Sequence, residues 1–142
     1  MTLRGGQIQS VFCDTSFFYA CLDPSDVHHE RACSLLEESV AENIVFYSTW
    51  DIVSETATLL RYRSSYERAI QFLDHVKPTL RLVLYDGSIQ SQAEEVFRQL
   101  GTDKKLSLCD ALSFVVVTVL LENIPYLSFD RDFKRLGLTV IT

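Results

Sequence analysis

Four acidic residues, Asp14, Glu55, Asp110 and Asp130, stand where a metal-dependent active site could form. Asp14 and Asp130 each follow directly on a short apolar segment that is typical of a strand. Glu55 and Asp110 each fall near the end of a predicted helix. Carboxylates about 4 Å apart repel by roughly 1 to 4 kcal/mol, so a converging set needs a cation. Oxygen-only ligands favour Mg²⁺ or Mn²⁺, which can activate water and neutralise charge on a phosphodiester.

Three of these acids also have a structural explanation. Asp14 could simply help to cap the helix that follows it. Glu55 lies outside the apolar stripe of its helix, formed by Trp50, Val53, Ala57 and Leu60, where most glutamates are solvated. Ser107 and Asp110 have the spacing of a capping box, which accounts for Asp110 without any chemistry. The residues alone are therefore compatible with a metal site and also with purely structural roles for these acids.

Apolar segments alternate with helical patterns along the chain. The predicted strands are residues 8–13, 44–47, 80–85, 126–129 and 138–141. This alternation predicts parallel β-α-β units, and hence an α/β fold with a doubly wound sheet and helices on both faces. In such a sheet ligands bind beyond the carboxyl ends of the strands, where Asp14 would lie. Residues 1–7 are expected to be a flexible tail and residues 8–142 a single domain.

Composition excludes several classes of protein. A net charge of −6 argues against a DNA-coating protein or a polybasic membrane binder. The longest uncharged apolar-rich segment, 111–121, is too short to span a bilayer. The cysteines show no C-x-x-C pair and the histidines no ligand spacing, so free thiols in a reducing cytoplasm are expected and a zinc site is disfavoured. These residues are Cys13, Cys21, Cys33, Cys109, His28, His29 and His75.

Four short motifs occur in a specific order along the chain. They are Asp14-Thr15-Ser16, Val53-Ser54-Glu55-Thr56, Ser107-Leu108-Cys109-Asp110-Ala111-Leu112 and Ser128-Phe129-Asp130-Arg131-Asp132-Phe133. Each motif is weak alone, but together, in this order and spacing, they are quite specific. From residue 11 to the end, the chain resembles a PIN domain and, within that family, the VapC-type toxins of toxin–antitoxin pairs.

This resemblance implies a metal-dependent endoribonuclease that requires Mg²⁺ or Mn²⁺. Asp14, Asp110 and Asp130 would hold the ions directly, and Glu55 would bind through water or orient the nucleophile. The resemblance also points to Asp132 as a less uniform further acid, and to Thr15 or Ser16 as a small hydroxyl beside the first aspartate. The expected strand order is 3-2-1-4-5. In that order the strand before Asp86 lies at an edge, so Asp86 is expected to be only a helix cap.

The same resemblance implies partners: an RNA substrate, a cognate antitoxin and a second copy of the chain in a homodimer. Because the net charge is acidic, RNA must be bound by local groups of basic residues or with the help of a partner subunit. The local basic residues available for this are Arg61, Arg63, Lys104 and Lys105.

Other enzyme classes fit less well. A phosphatase of the haloacid dehalogenase type needs a second carboxylate two residues after the first, where this chain has Ser16. A response-regulator receiver needs an early acidic pair and a phospho-acceptor aspartate after its third strand, and the sequence offers neither. The remaining alternative is a catalytically silent PIN-like module that binds RNA or protein. Such modules typically lose acids of the quartet, whereas all four are present here.

Overall fold

Five short parallel strands form the sheet. The structure is a computed structural model and describes Leu3 and residues 5–142. The strands are β1 (Ser10–Cys13), β2 (Val45–Ser48), β3 (Arg81–Leu82), β4 (Tyr126–Leu127) and β5 (Val140–Ile141). Their order is β3-β2-β1-β4-β5, and every neighbouring pair is parallel. The predicted α/β fold and strand order are therefore confirmed.

Helices connect the strands and flank the sheet. They are α1 (Thr15–Leu22), α2 (His29–Ala41), α3 (Trp50–Arg63), α4 (Tyr66–Gln71), α5 (Gly87–Leu100), α6 (Leu108–Val115) and α7 (Asp132–Arg135). Two of them continue into π-helical turns, α4 into Phe72–Val76 and α6 into Val116–Leu120. A 3₁₀ turn, Lys77–Thr79, leads towards β3.

Side-chain caps fix where the helices begin. Asp14 accepts a hydrogen bond from the backbone N–H of Phe17 and caps α1. Thr49 caps α3, and Asp86 caps α5. Ser107 caps α6 within a complete capping box. Each cap satisfies N–H groups that the first helical turn leaves unpaired, so these polar residues set the point at which a strand or loop gives way to a helix.

The core is organised on β1, the central strand. Val11, Phe12 and Cys13 are fully buried. The ring of Phe12 stacks on Tyr126 of β4 with centroids 5.2 Å apart, and Tyr126 stacks in turn on Phe133 of α7 at 4.3 Å. Burying aromatic rings of this size supplies much of the stability of a small domain. This column of three rings fixes β1, β4 and α7 relative to one another.

The strands are shorter than the apolar segments that predict them. The segment 80–85 contributes only β3, and Leu84 within it is 91% exposed. The segment 126–129 pairs only over β4. Apolar character alone does not determine how many residues find a pairing partner, and edge strands in particular are short.

The expected tail, 1–7, lies partly outside the described residues, because nothing is described for Met1, Thr2 and Arg4. Leu3 is fully buried, and its backbone N–H donates to the carboxylate of Glu38 at 3.3 Å. The division into a flexible tail and a domain stays a prediction. No helix within residues 5–142 has the length and hydropathy that a membrane crossing requires.

Replacing Phe133 with alanine tests the aromatic column. Phe133→Ala removes a fully buried ring from Tyr126 and should lower the free energy of unfolding by about 3–5 kcal/mol. The exposed Leu84 provides the control, and Leu84→Ala should change stability by no more than about 0.5 kcal/mol. Urea melts of the three proteins measure both values. Equal effects of the two substitutions would contradict the packing described for α7.

Candidate active site

One cavity lies at the carboxyl ends of β1 and β4. It has a volume of about 360 Å³ and is lined by all four acids singled out from the sequence. They reach it from four elements: Asp14 from the end of β1, Glu55 from α3, Asp110 from α6 and Asp130 from the loop after β4. The structure therefore brings the predicted quartet together, at the edge of the sheet where the topology places ligands.

Asp14 is the most buried of the four and is held by three donors. Only 6% of the surface of Asp14 is exposed to solvent. Ser16 Oγ donates to Oδ1 at 2.7 Å, and Ser128 Oγ donates to Oδ2 at 2.5 Å. The backbone N–H of Phe17 also donates to Oδ1, at 3.2 Å. Both carboxylate oxygens are thus fixed in direction.

Burial raises the pKa of Asp14 to about 7, well above its ordinary value of 3.8. The hydrogen bonds from Ser128, Ser16 and Phe17 act in the opposite direction because they stabilise the ionised form. The negative charge of Asp110 raises the pKa further. Within the described part of the chain, no ion pair involves Asp14. Ionising a carboxylate this buried costs free energy unless a positive charge lies beside it.

Asp110 serves the capping box and lines the cavity. Its Oδ2 accepts from the backbone N–H of Ser107 at 3.0 Å, and Ser107 Oγ accepts from the backbone N–H of Asp110 at 3.0 Å. Burial raises the pKa of Asp110, the hydrogen bonds to Ser107 lower it, and the charges of Asp130 and Glu55 raise it again. Asp110 is therefore both a capping residue and part of the cavity wall.

Glu55 points into the cavity from α3. Its Oε2 accepts a hydrogen bond from Thr15 Oγ1 at 3.1 Å. The thiol of Cys109 lies nearby, and its pKa is raised first by burial and then by the charge of Glu55. The two hydroxyls expected beside Asp14 thus have different contacts: Thr15 binds Glu55, and Ser16 binds Asp14.

The loop after β4 is tied to the same network. Ser16 Oγ accepts from the backbone N–H of Phe129, and Ser128 Oγ accepts from that of Asp130, both at 2.9 Å. The hydrogen bond from Ser128 to Asp14 is the contact at the site that the sequence analysis does not predict. The signal was its place two residues before Asp130, but the contact with Asp14 depends on the alignment of β1 with β4, in which Cys13 lies opposite Leu127.

The other predicted residues are more dispersed. Asp132 does not line the cavity; its backbone N–H donates to Asp130, and its carboxylate pairs with Arg135 at 3.6 Å. Among the basic residues expected to bind RNA, only Arg63 lines the cavity. Arg61 instead lies over the ring of Tyr66, 4.8 Å from its centroid, and the two lysines lie between α5 and α6. His28, which carried no functional expectation, also lines the cavity.

The donor chemistry suits a hard cation, but the site is not preassembled. In residue 3 and residues 5–142, no group of three or more His, Cys, Asp or Glu side chains is arranged to hold a metal ion. Mutual repulsion of the carboxylates favours such a separation when no cation lies between them. The cavity is therefore an acidic pocket whose carboxylates come from four separate elements and whose oxygen donors suit a hard cation.

The pKa of Asp14 predicts how the metal-free protein responds to pH. Because folding raises this pKa, the stabilisation from protonated Asp14 is complete below about pH 4 and is lost as the pH rises towards 7. Relative to Asp14→Asn, which does not titrate, the wild type should lose on the order of a few kcal/mol of unfolding free energy between pH 4 and pH 8. Denaturant melts in EDTA measure the difference. Parallel stability curves for the two proteins would contradict the burial of an unpaired charge.

Comparison with known proteins agrees with this architecture. A family model for the PIN domain matches residues 11–138. The chain is 29% identical over 124 residues to a VapC ribonuclease from Archaeoglobus fulgidus, and the match covers 85% of this chain and 77% of that protein.

Solved structures share the fold. VapC20 from Mycobacterium tuberculosis, described as a toxin that cleaves the sarcin-ricin loop, superposes with a TM-score of 0.77 at 25% identity, covering 90% of this chain and 95% of VapC20. FitAcB from Neisseria gonorrhoeae gives a TM-score of 0.65 at 15% identity, over 93% of this chain and 96% of that one. VapBC2 from Rickettsia felis, bound to promoter DNA, gives 0.61 at 15% identity, over 93% and 97%.

The family match spans most of the chain and includes all four acids of the cavity. The strand order agrees with the one expected from the resemblance. The resemblance drawn from the sequence motifs is confirmed: this chain belongs to the PIN-domain family.

Proposed function

We propose that the protein is an endoribonuclease that cleaves RNA phosphodiester bonds with the help of Mg²⁺ or Mn²⁺, and that it acts in the cytoplasm as the toxin of a toxin–antitoxin pair. One observation carries the proposal. Four carboxylates from four separate elements line a single cavity, and burial raises the pKa of two of them, Asp14 and Asp110. Strongly perturbed acids that converge in a cleft favour a functional site.

The similar proteins support the same activity. The archaeal relative is a VapC ribonuclease, and VapC20 is described as a toxin that cleaves the sarcin-ricin loop. The alternative is a catalytically silent module that binds RNA or protein. The presence of the complete acidic quartet in one cavity opposes that alternative.

Asp14, Asp110 and Asp130 are the residues proposed to hold the ion. Their donors are all carboxylate oxygens, the ligands that Mg²⁺ and Mn²⁺ prefer. A bound ion of this kind would lower the pKa of water and neutralise charge that develops on the phosphate. Its positive charge would also stabilise Asp14 as a carboxylate and so bring the pKa of that group back down.

The remaining polar side chains would position these groups. Ser16 and Ser128 donate to Asp14 and thereby direct its two oxygens. Glu55 is held by Thr15 and would accept a hydrogen bond from the attacking water or bind the ion through water. Arg63 lines the same cavity, where its guanidinium could pair with a phosphate oxygen.

Two protein partners complete the proposal: a cognate antitoxin and a second copy of this chain. The family resemblance supports both. An acidic cavity open to solvent also suits an inserted arginine, because a guanidinium pairs bidentately with carboxylates. The antitoxin would then inhibit by neutralising the same charges that the metal neutralises.

Replacing Asp110 with asparagine separates its capping role from its proposed role in the site. If it were only a cap, Asp110→Asn would cost about 0.3 to 1 kcal/mol, and RNA cleavage would survive. The proposal predicts that metal-free stability holds or rises, because repulsion from the neighbouring acids is relieved. Mn²⁺ should raise the melting temperature of the wild type, since it binds only the folded state, and raise that of the variant much less. Cleavage should fall by orders of magnitude.

Asp86 provides the matched control, since it also caps a helix but does not line the cavity. Asp86→Asn should keep both cleavage and the response to Mn²⁺. Thermal melts with and without Mn²⁺, together with cleavage of a labelled RNA, measure all three proteins. If Asp110→Asn melts lower, responds fully to Mn²⁺ and still cuts RNA, Asp110 is excluded from the site.

Purification from the native host tests the partners. The tagged chain should elute as an assembly that contains two copies and a second, smaller protein, as measured by light scattering and mass spectrometry. The second protein should suppress cleavage by the free chain. Recovery of only the free monomer would contradict the partner proposal. It would not bear on the nuclease proposal, which the cleavage assay tests.

A further inference from the structure

A second cavity adjoins the acidic one. It has a volume of about 460 Å³ and is lined by His28, Arg31, Phe129, Asp130, Arg131 and Lys134, together with the last residue of the chain. Three of these side chains are permanently cationic and one is anionic. The side chains that line it therefore carry a net positive charge, in a chain whose net charge is −6. Its lining comes from α2 and from the loop and helix that follow β4.

Two of the cations are available to a ligand. Arg131 and Lys134 are exposed, and neither forms an ion pair with any residue that the structure describes. Arg31 is more constrained, since its Nε donates to the backbone carbonyl of Thr142 and its guanidinium lies 3.8 Å from the carboxylate of Glu38. Exposed, unpaired Arg and Lys side chains at the mouth of a cavity are typical of contacts to phosphate.

The two cavities share one wall. His28, Phe129 and Asp130 line both of them. The imidazole of His28 stacks on the ring of Phe129, with centroids 4.4 Å apart and planes within 2° of parallel. His28 is exposed and Phe129 only partly buried, so the stack presents an aromatic surface at the boundary. Such a surface can stack on a nucleobase of any sequence.

Phe129 is fixed in this position by the acidic network itself. Its backbone N–H donates to Ser16, the same hydroxyl that donates to Asp14. The aromatic stack is therefore held at a defined distance from the carboxylates. An RNA strand that ran from the acidic cavity into the second one would cross the wall formed by His28, Phe129 and Asp130.

We propose that the second cavity is a subsite for the nucleotide next to the cleaved bond, in which Arg131 and Lys134 bind a backbone phosphate and His28 stacks on the base. The proposal rests on the proposed endoribonuclease function and specifies how an acidic protein holds RNA. The sequence analysis expects RNA contacts from four other basic residues, and only one of these, Arg63, lines the acidic cavity. The proposal assigns RNA contacts to Arg131 and Lys134 instead. The phosphate carries the affinity, and the stack fixes the path of the chain without reading its sequence.

RNA binding as a function of salt tests the subsite. All proteins carry Asp110→Asn to keep the RNA intact, and the probe is a fluorescein-labelled single-stranded RNA of mixed sequence. The double variant Arg131→Ala/Lys134→Ala should weaken binding about tenfold or more. It should also reduce the slope of log K against log salt by about 0.7, which is the contribution of one phosphate contact to a single strand. A general loss of folding would not produce that defined change in slope.

The control removes the same charge elsewhere. Arg81→Ala/Arg98→Ala lowers the net charge equally and replaces exposed residues outside both cavities. It should leave affinity and slope close to the reference values. His28→Ala should weaken binding, whereas His28→Phe should restore it, because phenylalanine keeps a stacking ring on Phe129.

The results distinguish this subsite from the proposed nuclease. If the reference protein binds RNA and the double variant loses affinity and slope, the subsite stands, even if the wild type fails to cleave. If the double variant binds like the reference, or if the reference does not bind RNA at all, the subsite is overturned. A double variant that keeps RNA binding but no longer associates with an acidic partner protein would also overturn it, in favour of a protein contact.

Discussion

A carboxylate buried without a cation beside it is the constraint on which the site depends. Asp14 ends the central strand, and its burial alone would strongly oppose ionisation. The hydroxyls of Ser16 and Ser128 compensate in part, and the same hydroxyls accept hydrogen bonds from the backbone of Phe129 and Asp130. One network thus stabilises the charge on Asp14 and positions the loop after β4.

The sheet topology explains why this network can form, and most of it could be predicted from the sequence. Alternating apolar and helical segments indicate parallel strands, and two strands that run directly into aspartate indicate ligands at one edge. Because β1 and β4 are neighbours, Asp14 and Asp130 both line the cavity at the ends of these strands. The capping box predicted at Ser107 is also present, and it sets the position of Asp110. Asp86 follows the edge strand β3 and remains a cap, as expected.

What could not be predicted depends on contacts between distant segments. Helical periodicity placed Trp50 on the buried stripe of α3, yet it is 58% exposed, with the ammonium of Lys77 lying over its ring. Helical periodicity identifies the apolar face of a helix. It does not show whether another element covers that face at the first residue of the helix, where Trp50 lies. The contact of Ser128 with Asp14 requires the strand register, and the stack of His28 on Phe129 joins residues about a hundred positions apart. No local pattern encodes either contact.

The most direct test of the account is a crystal structure of the protein with Mn²⁺ at pH 8, with the ion located by its anomalous scattering. The account predicts an anomalous peak in the acidic cavity, with carboxylate oxygens of Asp14, Asp110 and Asp130 as its ligands. An ion bound elsewhere, or an acidic cavity that stays empty in a preparation that still cleaves RNA, would contradict it.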